Sequence, residues 1–389
     1  MSARPPFAQR YGNLVAAIAT IAACDISMGL SFSLIPLILE SRGTAASLIG
    51  FNAAMGPLGI ILAGPFLPRL VARFGSKRVV WTVIAVIIAC LLAFNLTDNL
   101  VAWFILRFIF GVAVGTLFTV SEAWILSFAE QGNRGRIMAI YTSILSITFA
   151  FGPLIIPFTG IQGWLPWLIG IAFLVLSIFP LLFVKPDEDV FAEKEGTGFI
   201  GFFARAPLLL FAVASVTLSD QIILSFFQIW GIRNGLSLEM ASWLLGFGII
   251  GNALLQYPVG MLADRWSRMG VVILAGLVTI LFTISLNWVV SGWLIWPVML
   301  ILGTSYFAIY TVSLAVMGDN FKGPDLIAGS AAFSAMWGIG GIIGPSLAGV
   351  AADIGGINTV PYSVATPFVI LLIGLAIMGG SLIRKPAHG

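Results

Sequence analysis

Four ionisable residues interrupt long uncharged runs of this chain: Asp25, Arg107, Glu122 and Asp220. If those runs cross a bilayer, each charge at depth costs on the order of 2.5–3.5 kcal/mol on insertion scales, which marks it as a site residue. A carboxylate there can carry a proton or bind a cationic or hydroxylated solute. A guanidinium can hold a carboxylate or receive an anion. The groups that other chemistries need are missing from the runs. The one histidine is His388, beyond the last run, and the two cysteines, Cys24 and Cys90, have no metal-ligand spacing. No phosphate-binding glycine loop is visible, which argues against an ATP-driven pump. With no histidine to act as base or ligand, the expectation is no enzyme, no catalytic residue, no cofactor and no metal.

The elements that hold these residues follow from composition. Of 389 residues, 59% are hydrophobic and 9% charged, whereas soluble domains carry roughly 25% charged residues. Apolar runs fall near Leu14–Leu39, Ser47–Leu67, Val79–Leu96, Val101–Ala123, Ile137–Phe158, Trp164–Val184, Pro207–Trp230, Ala241–Val259, Val271–Val290, Trp293–Met317, Ile327–Ala351 and Pro361–Ile383. A helix needs roughly 20 residues to span the hydrocarbon, and the runs lack the short alternation of barrel strands. The reading is an all-α polytopic membrane protein of twelve helices. It comprises an N-terminal six-helix bundle (1–184), a polar cytoplasmic linker (185–206) and a C-terminal six-helix bundle (207–389).

The two halves repeat. Gly64 and Gly260, and Arg69 and Arg265, are 196 residues apart. Asp25 and Asp220 are 195 apart, and Gly152-Pro153 and Gly344-Pro345 are 192 apart. Six helices in the same order in each half imply parallel repeats about an axis along the membrane normal. Lys and Arg set the orientation. With the first residues inside, the inner loops hold Arg69, Arg73, Lys77, Arg78, Arg134, Arg136, Lys185, Lys194, Arg205, Arg265, Arg268 and Lys322, and the outer loops only Arg42 and Arg233. Both termini are therefore expected in the cytoplasm of a multi-pass inner-membrane protein. These loop charges give no basis for nucleic-acid binding.

Gly260-x-x-x-Asp264-Arg265-x-x-Arg268 reads as a charged turn between two spans, with Gly64 and Arg69 in its weaker first-half copy. It resembles the signature that major facilitator superfamily (MFS) transporters carry after the second helix of a half. Ser267 stands where that pattern has Gly, and Pro68 replaces the acidic residue in the first half. Arg107-x-x-x-Gly111-x-x-x-Gly115 resembles the family's fourth-helix pattern, and Gly152-Pro153 a remnant of its antiporters' fifth-helix motif. The chain is similar to that family over essentially its whole length, nearest the bacterial drug-transporter-like, YcaD-like branch. The resemblance implies alternating access around a midplane cavity. It also implies a latch at Asp264, Arg265 and Arg268 that stabilises the outward-facing state, with Gly64 and Gly260 allowing close backbone approach.

By helical rise, Asp25 lies roughly 16 Å into its helix and Arg107 roughly 10 Å in from the opposite face. The two can pair in one state and part when Asp25 is protonated, or form a static tie. Asp220 can carry a proton, bind substrate or serve as a structural hydrogen-bonding group. Glu122 either lines the inner mouth or is an interfacial carboxylate. Asn52, Gln228, Asn252, Gln256, Tyr306, Tyr310 and Trp337 are candidate cavity lining. Gly111, Gly115, Gly152, Pro153, Gly344 and Pro345 are candidate packing or hinge positions. The expected function is proton-coupled antiport exporting small amphipathic or drug-like molecules. The alternative is uptake of a small metabolite such as a sugar or organic anion. The expected partners are a small-molecule substrate, protons and the lipid bilayer, with the protein a monomer.

Overall fold

A computed structural model of the chain describes residues 7–128, 134–185, 202–203, 205–321, 324–377 and 382. Most of the expected linker 185–206 lies outside the described residues, as do Arg4, Lys194, Lys322, Arg384, Lys385 and His388. Twelve helices long and apolar enough to cross a membrane are present, and no strand occurs among the described residues. They are α1 (Phe7–Ser41), α2 (Ala46–Ala63), α3 (Ser76–Leu96), α4 (Leu100–Phe128), α5 (Arg134–Thr159), α6 (Leu165–Phe183), α7 (Pro207–Arg233), α8 (Leu238–Arg265), α9 (Arg268–Val289), α10 (Ile295–Asn320), α11 (Pro324–Gly355) and α12 (Val360–Ile377). Helices satisfy their own backbone, which hydrocarbon cannot do for them.

At two loops the structure shows helix where the hydropathy reading ended a span. The stretch after α2 is a 3-10 turn, Gly64–Phe66, followed by a short amphipathic helix, Leu67–Phe74. Leu67 and Val71 are buried on one side of it, and Gly75 (φ 81°) turns the chain into α3. The charged turn after α8 is also largely helix. α8 runs on to Arg265, and only Trp266 and Ser267 separate it from α9. Ser267 accepts a hydrogen bond from Gly270 N at 3.1 Å, capping the start of α9. That explains a serine at a position where the family pattern has glycine.

The chain forms two compact units: Met1–Ile35 with Met55–Glu193, and Pro36–Ala54 with Lys194–Gly389. The hairpin from the end of α1 to the start of α2 thus packs in the second unit, although sequence order places it in the first half.

Inside the first unit, α2 meets α4 where Gly111 sits against the backbone of Gly56, and α5 meets α1 where Gly152 sits against Gly29 and Leu30. The second unit repeats both crossings. Gly303 of α10 sits against Gly248 of α8, and Gly344 of α11 against Leu218 of α7. The paired glycines are 55 residues apart in each unit, 56 to 111 and 248 to 303. Small residues let membrane helices approach to backbone contact, where dispersion replaces the hydrophobic drive that lipid removes. Phe94, Trp103 and Trp167 fill the first unit, with Phe94–Trp103 and Phe94–Trp167 centroids 5.0 and 5.7 Å apart. Lys77, expected only as a topology signal, donates to the carbonyls of Leu182 (3.0 Å) and Val184 (2.7 Å) and so caps the end of α6.

In the second unit the 36–54 hairpin is clasped twice. Arg233 forks onto Glu40 through Nε (2.6 Å) and Nη2 (2.9 Å). Asp353, at the end of α11, accepts from Ala46 N (2.8 Å) and Ser47 N (2.9 Å), two of the orphan donors that open α2. Its carboxylate therefore acts as an N-cap from another helix. Asp353→Ala should lower the unfolding free energy in detergent by about 1 kcal/mol or less, the range of an exposed cap. A melt unchanged from the parent protein would show the cap to be energetically silent.

Candidate functional site

The first unit holds a buried cluster carried by α1, α4 and α5. Asp25 is 2% exposed and accepts a hydrogen bond from Thr148 Oγ1 at 3.0 Å. Arg107 is 1% exposed. Its guanidinium carbon lies 4.6 Å from the Phe32 ring centroid and 5.7 Å from that of Phe110. Its Nε and Nη1 have no hydrogen-bond partner among the described residues. The expected Asp25–Arg107 pair is not formed in this structure. Depth along each helix allowed it, but Asp25 points to α5 and Arg107 lies between two phenyl rings. Gly56 leaves room beside the guanidinium, since a methyl there would approach Nε to 3.7 Å.

Sequence reasoning does not single out Tyr141 of α5. It is fully buried, its hydroxyl has no partner among the described residues, and it lies within electrostatic reach of Glu122 and Asp25. Thr148 escapes sequence reasoning too. Both lie on the α5 stripe with Gly152, Tyr141 seven residues before Thr148 and Gly152 four after it, so they share the face turned to α1. Glu122 itself is exposed.

The second unit has its own polar line. Tyr306 donates to Asp220 Oδ1 at 3.1 Å, and Asp220 is 7% exposed. Gln256 donates to Asn252, and Thr311 donates to Gln256. Beside them Tyr306, Phe307, Tyr310, Phe333 and Trp337 form a row of rings, with Tyr310–Trp337 centroids 5.9 Å apart and Phe307–Trp337 6.3 Å. Gln228 is buried and donates to Ser242 at 2.8 Å, a tie between α7 and α8. Asn52 is buried, and neither of its amide atoms has a partner among the described residues. That is a desolvation cost of about 1–3 kcal/mol per group, which a purely structural residue avoids.

The latch candidates are asymmetric, in line with the weaker first-half copy of the turn. Arg268 contacts Asp319 of α10, donates to Ala315 O at 3.1 Å, and lies 3.8 Å from Asp264. Arg69 and Arg265 are exposed. Gly64 and Gly260 stand open, with nothing within 4 Å of where a methyl would sit. The expected close backbone approach at these two glycines is therefore absent here. Gly111, Gly152 and Gly344 carry close approaches instead.

Twelve spans in a twofold-repeated plan, with carboxylates buried among neutral donors, define a polytopic membrane transporter. Comparison with known proteins specifies the family. The family model described as Major Facilitator Superfamily matches residues 16–322 and 209–388, and the chain belongs to that family. The uncharacterized MFS-type transporter YfkF of Bacillus subtilis (strain 168) is 25% identical over 350 residues, covering 85% of this chain and 86% of that protein. The uncharacterized MFS-type transporter YcaD of Escherichia coli is 23% identical over 365 residues, covering 92% and 93%. Among solved structures, a mutant form of the nucleoside transporter NupG superposes with a TM-score of 0.75 at 12% identity, over 95% of this chain and 99% of that one. A bacterial homologue of the human lysosomal transporter Spinster, inward-facing and unoccupied, gives 0.72 at 13%, over 99% and 100%. These likenesses at low identity establish the fold. The protein is a transporter and not an enzyme.

Proposed function

We propose that the protein is a proton-linked secondary carrier working by alternating access, a monomer that exports small amphipathic molecules across the cytoplasmic (inner) membrane. One observation carries the coupling. Asp25 and Asp220 are both buried, and each has a neutral hydroxyl, Thr148 or Tyr306, as its side-chain partner and no ion pair among the described residues. A carboxylate so placed changes charge by taking or losing a proton, and the change alters what its bundle can hold in a low-dielectric setting. The ring row of the second unit supplies an apolar, stacking wall for an amphipathic solute. Basic residues on one side of the bilayer support an inner location for the linker and both ends of the chain. Arg268, held by Asp319 and near Asp264, is the centre of the proposed conformational latch.

The test is proton release from purified protein in weakly buffered detergent, on addition of organic cations, organic anions, sugars and a nucleoside. One chemical class should acidify the solution in a saturable way. Saturable binding of any class without proton release removes the proton-linked reading.

A further inference from the structure

We propose that Arg107 is the binding site for the anionic group of the transported molecule, so that the substrate class is an amphipathic organic anion carrying a carboxylate, sulfonate or phosphate. The inference rests on the carrier reading above and deepens it. An arginine in a protein cannot shed its charge. Arg107 is 1% exposed, and two of its three guanidinium nitrogens have no partner among the described residues. Asp25, the carboxylate expected to pair with it, is engaged by Thr148 instead. The aromatic faces of Phe32 and Phe110 offset part of the burial cost through cation–π contact. They accept no N–H hydrogen bond of ordinary strength, so the charge-assisted bonds of Nε and Nη1 remain unmade.

The surroundings also fit such a molecule. Phe32 stands over the guanidinium and packs edge-on to Phe149 at 5.9 Å. Both rings are only partly buried, while the arginine between α1 and α4 is fully so. A solute that carries an acid on an apolar body matches this pairing of phenyl surface and fixed positive charge. Gly56 keeps the space beside Nε free of side chain. The partly exposed rings of Phe32 and Phe149 suit the apolar body of the solute, and Arg107 suits its head.

The experiment uses the full-length protein in detergent and six probes of one ring size. Benzoate, benzenesulfonate and phenyl phosphate are compared with benzamide, benzyl alcohol and benzyltrimethylammonium. Binding is read by isothermal titration and by the shift of the unfolding temperature. At least one anion should bind saturably, and the neutral and cationic isosteres should not. Arg107→Gln should weaken that anion at least ten-fold, and Arg107→Lys should recover part of the loss. If the variants do not fold, the isostere comparison on the parent protein decides. Binding of no anion, equal binding of the isosteres, or anion binding unchanged in Arg107→Gln overturns the proposal. Anion binding without proton release would instead remove the proton-linked reading and leave this one standing.

Discussion

Asp25→Asn is expected to abolish substrate-driven proton release while leaving solute exchange across the membrane intact. The two side chains are nearly isosteric, and the amide oxygen can still accept from Thr148 Oγ1, so the tie between α1 and α5 survives. What is lost is the carboxylate that takes up and releases the proton. In proteoliposomes the variant should catalyse exchange of labelled for unlabelled solute at a rate near that of the parent. Accumulation driven by a pH gradient should fall to background. Asp220→Asn provides the comparison, because it keeps an acceptor for Tyr306 in the second unit. If Asp25→Asn retains gradient-driven accumulation and Asp220→Asn loses it, the coupling carboxylate lies in the second half. If both retain it, neither buried carboxylate is the coupling group.

The second large effect is on stability. Gly111→Val and Gly303→Val each place a branched side chain where even a single methyl would overlap the backbone of Gly56 or Gly248. Backbone cannot move aside as a flexible side chain can. The α2–α4 or α8–α10 crossing must therefore open, at a cost of at least about 3 kcal/mol, the upper range for overpacking. The expected result is loss of the monodisperse peak on size-exclusion chromatography. Gly260→Ala is the control of opposite sign. It lies inside α8 with open space around it, and alanine in a helix interior is favoured over glycine by about 0.5–1 kcal/mol. A folded Gly111→Val protein with a parental melting curve would mean that the glycine crossings are not the closest contacts in the membrane. A destabilised Gly260→Ala would point to a contact made in another state of the cycle.

The twelve spans were readable from the sequence because hydrocarbon admits only apolar helices or closed barrels. The repeated halves and the family were readable from residues that recur at matching places, such as Gly64 with Gly260 and Arg69 with Arg265, and from the Gly260–Arg268 turn. Hydropathy stopped short where helices did not. Arg265 and the amphipathic Leu67–Phe74 segment are helical although charged, since an interfacial helix bonds its own backbone whatever its side chains are. Buried ionisable residues were legible as candidates from their cost alone. Their partners were not. Depth along a helix follows from residue number, but the direction a side chain faces depends on how each helix is rotated against its neighbours. That rotation is set by glycine contacts such as Gly152 on Gly29 and Gly111 on Gly56, which lie far apart in the chain. Only the tertiary structure could therefore turn Asp25 to Thr148, lay Arg107 between Phe32 and Phe110, and bring Asp353 to the first turn of α2.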